Sequence, residues 1–398
     1  MDITIFPEKL VGKVTAIPSK SQAHRLLICA AFADAPTDLQ CPETNRDIAA
    51  TAGCLNAMGA EITRTEAGYH VLPVRRVPES AVLNCHDSGS TLRFLLPVAG
   101  ALGLDADFLL EGRLPSRPLS PLWEELERMG CTLTRPTPDS IRSTGRLRGG
   151  DFTIDGSVSS QFITGLLFAA ALIPGENRIH LTGKVESRPY IDMTRRAMAL
   201  FGRNTENYVV AGGAPFHSPD TVTVEGDWSN GAFFLAANAL GNPVSVSNLA
   251  PDSPQGDRAI YDLLPTLESR AVISAADIPD LVPILAVTAA CKRGAVFTDI
   301  RRLRLKESDR VASVIAMLEA LGGRAEATRD TLTVFGTGLT GGRVDAANDH
   351  RIAMSAAIAA TVCRENVTIL GAQCVDKSYP QFWEEYARLG GNYEQYLR

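Results

Sequence analysis

Between Arg302 and Arg310 the chain reads RLRLKESDR, three arginines and a lysine set among two acids. Leu303 and Leu305 alternate with arginines, the pattern of a short strand with one buried face. From Arg310 the period changes. Val311, Val314, Ile315, Leu318 and Leu321 recur at helical spacing, and Gly322-Gly323 supply a stop. Lys306, Glu307 and Arg310 are therefore expected at a strand-to-helix junction. A helix N-terminus already favours anions and repels cations, so the cations there need a counter-charge. Glu307 and Asp309 on a solvated face could supply it, and so could an anionic ligand.

The same combination recurs at other expected helix starts. Lys20, Ser21 and Arg25 open one helix; Asp87, Ser90 and Arg93 another; Ser159, Ser160 and Gln161 a third. Asp280 opens a further one, as do Asp349, His350 and Arg351, while Arg117, Ser187, Tyr190 and Lys377 are expected at the starts of amphipathic helices. Singly, SSQ is an ordinary N-cap and NDHR an ordinary turn. Together they point to anion binding through helix N-termini reinforced by Arg and Lys. The eight cations Lys20, Arg25, Arg93, Arg117, Lys306, Arg310, Arg351 and Lys377 exceed what one phosphate requires. Two phosphorylated carboxylic acids would bring roughly five to six negative charges. No Walker A sequence, GxGxxG, HExxH or metal-ligand cluster is present in the sequence, so nucleotide, dinucleotide and metal chemistry are not indicated and no cofactor is expected.

These starts belong to a repeated unit. Helical segments apolar nearly all round open at Ser21, Ser90, Ser159, Ser229, Asp280 and Asp349, at steps of about seventy residues with one of about fifty. Such helices must be buried. A second series of amphipathic helices alternates with them, most ending in Met-Gly, Phe-Gly or Leu-Gly before β-rich pieces such as TVTVEG and TLTVFG. The unit reads β-α-β-α-β-β, six times over. The expectation is two pseudo-symmetric α/β domains of three units each: residues 1–17 rejoin 226–398 in one, and residues 18–225 form the other. A chain of 398 residues suits two domains. Its net charge of −6 argues against a general nucleic-acid binder. Eight scattered cysteines with no CxxC pair suggest a reduced, cytoplasmic compartment. The longest apolar run, FITGLLFAAALIP, is too short for a bilayer, so no membrane association is expected.

PSKSQAHR, DSGSTLR, RLPSRPL, DGSVSSQF, SRPYIDMT, IPDLVPILA, RLKESDR, NDHRIAM and DKSYPQFW, in this order, resemble the motifs of the 5-enolpyruvylshikimate-3-phosphate synthases, over residues 18 to about 385. The resemblance implies two inside-out α/β barrel domains of three βαβαββ units with the active site in the interdomain cleft. It implies transfer of the enolpyruvyl group of phosphoenolpyruvate to the 5-hydroxyl of shikimate 3-phosphate, without cofactor or metal, by a protein expected to be a monomer. On the same footing, Lys20, Ser21, Arg25, Ser159, Ser160, Gln161, Ser187, Tyr190, Asp280 and Lys306 would contact shikimate 3-phosphate. Lys20, Gly89, Arg93, Arg117, Gln161, Arg310, Arg351 and Lys377 would contact phosphoenolpyruvate. Asp280 would accept the hydroxyl proton and Glu307 protonate the methylene, with Lys20 and Lys377 also in the catalytic set.

Four positions depart from the family pattern. Asp87 stands where asparagine is common, Phe94 where proline often follows the arginine, and Arg302 where asparagine often contacts substrate; PSK lacks the usual preceding glycine. Phe94 is expected to reshape the phosphoenolpyruvate pocket. Two alternatives remain: a UDP-N-acetylglucosamine 1-carboxyvinyltransferase and a non-catalytic anion-binding scaffold. Ser21 after Lys20 and the absence of cysteine from GRLPSRP argue against the first.

Overall fold

The computed structural model describes residues 1–396. They fall into two units, Met1–Ile17 with the chain from Gly226 onward, and Pro18–Glu225. Each has its own apolar core.

Twelve helices follow in chain order: α1 Lys20–Ala31, α2 Arg46–Ala57, α3 Gly89–Leu102, α4 Leu122–Arg128, α5 Ser160–Leu172, α6 Arg188–Leu200, α7 Trp228–Ala239, α8 Ile260–Leu263, α9 Val282–Cys291, α10 Arg310–Ala320, α11 His350–Ala360 and α12 Phe382–Arg388. The odd-numbered helices are the more deeply buried ones. Nearly every residue of α3, α5, α9 and α11 is buried, so these helices form the interior of their units. Small side chains allow close approach. At Gly165 in α5 a Cβ would fall 2.2 Å from the Arg93 carbonyl oxygen of α3. Pro97, four residues after Arg93, cannot donate to that carbonyl, so the neighbouring helix can approach it there.

Each unit carries three sheets, one per repeat. Four share one plan, a parallel pair extended by two antiparallel strands. Ser80–His86 pairs parallel with Asp105–Leu110, which is followed by Ser140–Gly145 and Cys131–Thr134. Ala271–Ser274, Ala295–Thr298, Thr331–Phe335 and Arg324–Ala327 repeat it in the other unit. Register aligns buried rows across the sheets: Leu83–Phe108–Ile141 in one, Ile273–Phe297–Leu332 in the other. Alternation along each strand turns these rows toward the helices, and each fully buried aliphatic or aromatic side chain contributes about 2 kcal/mol. Two sheets are shorter: Asp151–Asp155, Gly175–Thr182 and Val209–Gly212 make three strands, and Val244–Ser247 with Gly12–Thr15 make two.

Three local expectations change. Residues Arg301–Leu305 form a 3₁₀ helix and not a strand. Ile300 and Leu303 are the buried pair, while Leu305 is exposed. Spacing of i and i+3 eclipses side chains in a 3₁₀ helix, and that periodicity prevails over the leucine–arginine alternation. The GDRAIYDLLPTLES segment, expected from the sequence as the fourth amphipathic helix of the second series, is not one helix. It breaks into 3₁₀ turns Gly256–Ala259 and Leu264–Glu268 around the single turn α8. Pro265 interrupts it, and it lacks the terminal glycine found after α2, α4, α6, α10 and α12. Arg117 and Lys377 do not open helices. They lie at the ends of 3₁₀ turns Leu114–Ser116 and Ala372–Lys377, five residues before α4 and α12.

Candidate active site residues

In the unit of residues 18–225, the starts of α1, α3, α5 and α6 carry the expected side chains. Lys20 is the first residue of α1, its Nζ 2.9 Å from Asp47 Oδ2 in the first turn of α2. Ser88 caps α3 through Thr91 N, and Ser159 caps α5 by accepting from Gln161 N at 3.3 Å. The Gln161 side chain then links two helix starts. Its Nε2 donates to Ser90 Oγ at 2.9 Å, and its Oε1 accepts from Arg93 Nη1 at 3.1 Å. Arg93 Nη2 also donates to Pro118 O at 3.1 Å, next to Arg117. Gly89 is required by this packing. A Cβ there would lie 2.6 Å from Arg93 Nη1 and 2.7 Å from Arg117 Nη1.

Ser187 caps α6 with φ of 54°, a left-handed conformation that costs a non-glycine residue energy. It is buried, with Tyr190 one turn further on. The Tyr190 carbonyl accepts from Arg25 Nη2 at 2.9 Å. Arg25 is 2% exposed. Burial lowers its pKa to about 10, which still leaves it a cation at neutral pH. Lys20 and Arg25 on α1, Arg93 on α3 and Arg117 beside Arg93 outnumber Asp47, a charge balance suited to anions.

In the other unit the starts of α9, α10 and α11 converge on Arg310, which is 1% exposed. Its Nε donates to Asp349 Oδ2 at 3.0 Å, Nη1 to Asp280 Oδ1 at 2.7 Å, and Nη2 to Glu307 Oε2 at 2.8 Å. Arg351 Nη2 lies 3.1 Å from the other Asp280 oxygen, and Lys306 Nζ 3.5 Å from Asp280 Oδ1. Ser308 Oγ completes the group, donating to Asp349 at 3.0 Å. Lys306, Arg310 and Arg351 are thereby matched by Asp280, Glu307 and Asp349. The counter-charge for RLKESDR is thus built into the fold. Asp309 instead caps α10 by accepting from Ala312 N at 3.2 Å.

The electrostatics of this network follow from its density. Burial favours a neutral Asp280, but Arg351, Lys306 and Arg310 together outweigh it and hold the carboxyl well below its usual range. Burial, with Arg310 and Arg302 nearby, lowers Lys306 despite the attraction of Asp280. Lys377 Nζ lies 3.4 Å from the carbonyl of Asn348, the residue preceding Asp349. Among the described residues, no group of three or more His, Cys, Asp or Glu side chains is placed to hold a metal ion. No helix there is long and apolar enough to cross a membrane.

The sequence matches the family model for EPSP synthase (3-phosphoshikimate 1-carboxyvinyltransferase) over residues 6–386. The chain belongs to the EPSP synthase family. It is 34% identical to the 3-phosphoshikimate 1-carboxyvinyltransferase of Clostridium beijerinckii over 430 aligned positions, covering 99% of both chains. It is 36% identical to that of Clostridium kluyveri, covering 99% of this chain and 98% of the relative. The solved EPSP synthase of Acinetobacter baumannii superposes with a TM-score of 0.80 at 24% identity, over 99% of this chain and 100% of that one. The fold is the two-domain α/β fold of the EPSP synthases.

Phe94, one of the departures from the family pattern, is an interior residue. It is buried within its unit, with the Arg25 guanidinium 5.0 Å over its ring and Phe168 packed edge-on at 6.1 Å. Asp87 lies beside Gly112, where a Cβ would meet its own Cβ at 3.4 Å. Sequence reasoning missed four contributors. Asp47 neutralises Lys20; Thr194 and Thr164 hold Arg25. Buried Asp257 accepts from Ser229 Oγ, and burial together with the Asp280 charge raises its pKa to about 6. Only Asp47, in the first turn of an expected helix, left a trace in sequence pattern.

Proposed function

We propose that this chain transfers the 1-carboxyvinyl group of phosphoenolpyruvate to the 5-hydroxyl of shikimate 3-phosphate and releases inorganic phosphate. The observation that carries the reading is the shared guanidinium of Arg310, bonded at once to Asp280 and Glu307. The reaction needs two proton-transfer groups and fixed positive charge together.

Carbon 2 of phosphoenolpyruvate becomes electrophilic when carbon 3 takes a proton. Glu307 supplies that proton. Donation is favoured when the incoming anion takes over part of the Arg310 guanidinium that faces Glu307. The 5-oxygen then bonds to carbon 2 as its proton passes to Asp280, which becomes a stronger base as the substrate anions take over part of the Arg351, Lys306 and Arg310 charge that holds it ionised. The tetrahedral adduct collapses when carbon 3 returns its proton to Glu307, the carbon–oxygen bond to phosphate breaks, and the proton held by Asp280 passes to the departing phosphate. The products are the enol ether and phosphate.

Lys20, Ser21, Arg25, Ser159, Ser160, Gln161, Ser187 and Tyr190, with Lys306 and Asp280, bind shikimate 3-phosphate in this reading. Lys20, Gly89, Arg93, Arg117, Gln161, Arg310, Arg351 and Lys377 bind phosphoenolpyruvate. The cations at the α1 and α3 starts, Lys20, Arg25 and Arg93, with the hydroxyl and amide groups at the α5 start, support both assignments. The test is phosphate release from purified protein given phosphoenolpyruvate with shikimate 3-phosphate or UDP-N-acetylglucosamine as acceptor. Release with the shikimate ester alone is expected; release only with the nucleotide sugar overturns the reading.

A further inference from the structure

Arg25 is an unusual cation. It is buried in α1, yet among the described residues no carboxylate reaches its guanidinium. Nε donates to Thr194 Oγ1 at 2.8 Å, Nη1 to Ser21 O, and Nη2 to Tyr190 O at 2.9 Å and Thr164 Oγ1 at 3.5 Å. A guanidinium has five N–H donors, so a single N–H on Nη1 is left for an incoming oxygen. All four acceptors are neutral. What stabilises the charge besides them is the Phe94 ring face, with its centroid 5.0 Å from the guanidinium carbon.

The ring is itself fixed. His24 meets it edge-on at 6.2 Å and Phe168 at 6.1 Å. His24 Nδ1 is tied to Thr51 Oγ1 at 2.7 Å, and Thr51 to Thr91 Oγ1 at 2.7 Å, one turn before Phe94 in α3. Burial, with Lys20 and Arg25 nearby, holds His24 neutral, so it adds no charge beside Arg25.

We infer that Phe94 is a positioning residue for the acceptor: its ring is the platform on which Arg25 is held, and it sets affinity for the anionic acceptor rather than for phosphoenolpyruvate. The inference rests on the assignment of Arg25 to shikimate 3-phosphate. The proline that often occupies this position in the family offers no such π face. Here α3 has its proline at Pro97, and position 94 carries the aromatic ring.

The experiment is steady-state kinetics of the full chain and of Phe94→Leu and Phe94→Met, both close to the original volume and lacking the ring. Desolvated cation–π contacts scale to about a three- to thirtyfold effect. The KM for shikimate 3-phosphate is expected to rise by that factor, with the KM for phosphoenolpyruvate and kcat within about twofold. In an Arg25→Lys background the same Phe94 substitutions should cost much less, because they act through the guanidinium. A rise confined to the KM for phosphoenolpyruvate, a uniform loss of kcat, or equal costs in both backgrounds overturns the inference alone. If neither variant folds, the inference stands or falls on Phe94→Trp, which keeps a π face and must retain the wild-type KM for shikimate 3-phosphate. Wild-type protein that releases no phosphate overturns the underlying function as well.

Discussion

Asp349 joins two helix starts. One carboxylate oxygen accepts from Arg310 Nε at 3.0 Å at the head of α10, and the other accepts from Arg351 N at 3.0 Å to cap α11. It is 0% exposed. Removing one partner of a buried, hydrogen-bonded ion pair typically costs about 3 to 5 kcal/mol; here Arg310 Nε loses its acceptor and α11 its cap, while Asp280 and Glu307 still face the guanidinium. Asp349→Ala should therefore lower stability by that order in urea denaturation, with turnover lost. A variant within about 1 kcal/mol of wild type would show that this linkage is dispensable.

Asp280→Asn and Glu307→Gln should each reduce kcat by about a hundredfold or more, the usual scale for general acid–base groups. Calorimetric binding of shikimate 3-phosphate should change far less. Near wild-type turnover in either variant removes that residue from proton transfer.

Asp257 makes a pH prediction. Its folded-state pKa of about 6 lies above the ordinary carboxyl value, through burial first and then the Asp280 charge, with Asp227 adding to it and Arg351 and Ser229 opposing. A raised carboxyl pKa means that the folded state binds the proton more tightly. Its stabilising contribution is complete below about pH 4 and declines as pH rises through about 6. Asp257→Asn should consequently gain on wild type between those pH values, by at most about 3 kcal/mol for a shift of about two units. Parallel stability–pH curves for the two proteins would refute the shift.

Gly89→Ala places a methyl 2.6 Å from Arg93 Nη1 and 2.7 Å from Arg117 Nη1. Both are ends of flexible side chains, so the fold should survive while the guanidiniums move. We expect the KM for phosphoenolpyruvate to rise about tenfold, roughly 1.4 kcal/mol, with that for shikimate 3-phosphate little changed. The opposite selectivity would mean that these arginines serve the acceptor.

Ser159→Ala removes the α5 cap to Gln161 N. It should cost about 1 kcal/mol of stability and raise the KM for shikimate 3-phosphate while sparing that for phosphoenolpyruvate. Thermal denaturation and kinetics separate the two effects. Unchanged kinetics would leave Ser159 a cap and nothing more.

Much of the molecule was legible along the chain. Helical period, small-residue composition and terminal glycines mark α1, α3, α5, α9, α10 and α11 because each depends on neighbours within one or two turns. The motif residues could be named from local patterns for the same reason. The failures were local competitions: Pro265 against the helical period around α8, and i, i+3 burial of Ile300 and Leu303 against alternation in Arg301–Leu305. Partnership was not legible. Arg310 meets Asp280 and Asp349 across 30 and 39 residues, and Arg25 meets Thr194 across 169. A sequence displays charge but not distance, so KESDR read equally well as a solvated face and as a ligand clamp. Only the packing of three helix starts in one unit decided that Arg310 is neutralised from within, and only the packing of α1 on α3 put the ring of Phe94 beneath a buried arginine. Burial raises the cost of every unmatched charge, and tertiary structure alone determines which charges are buried together.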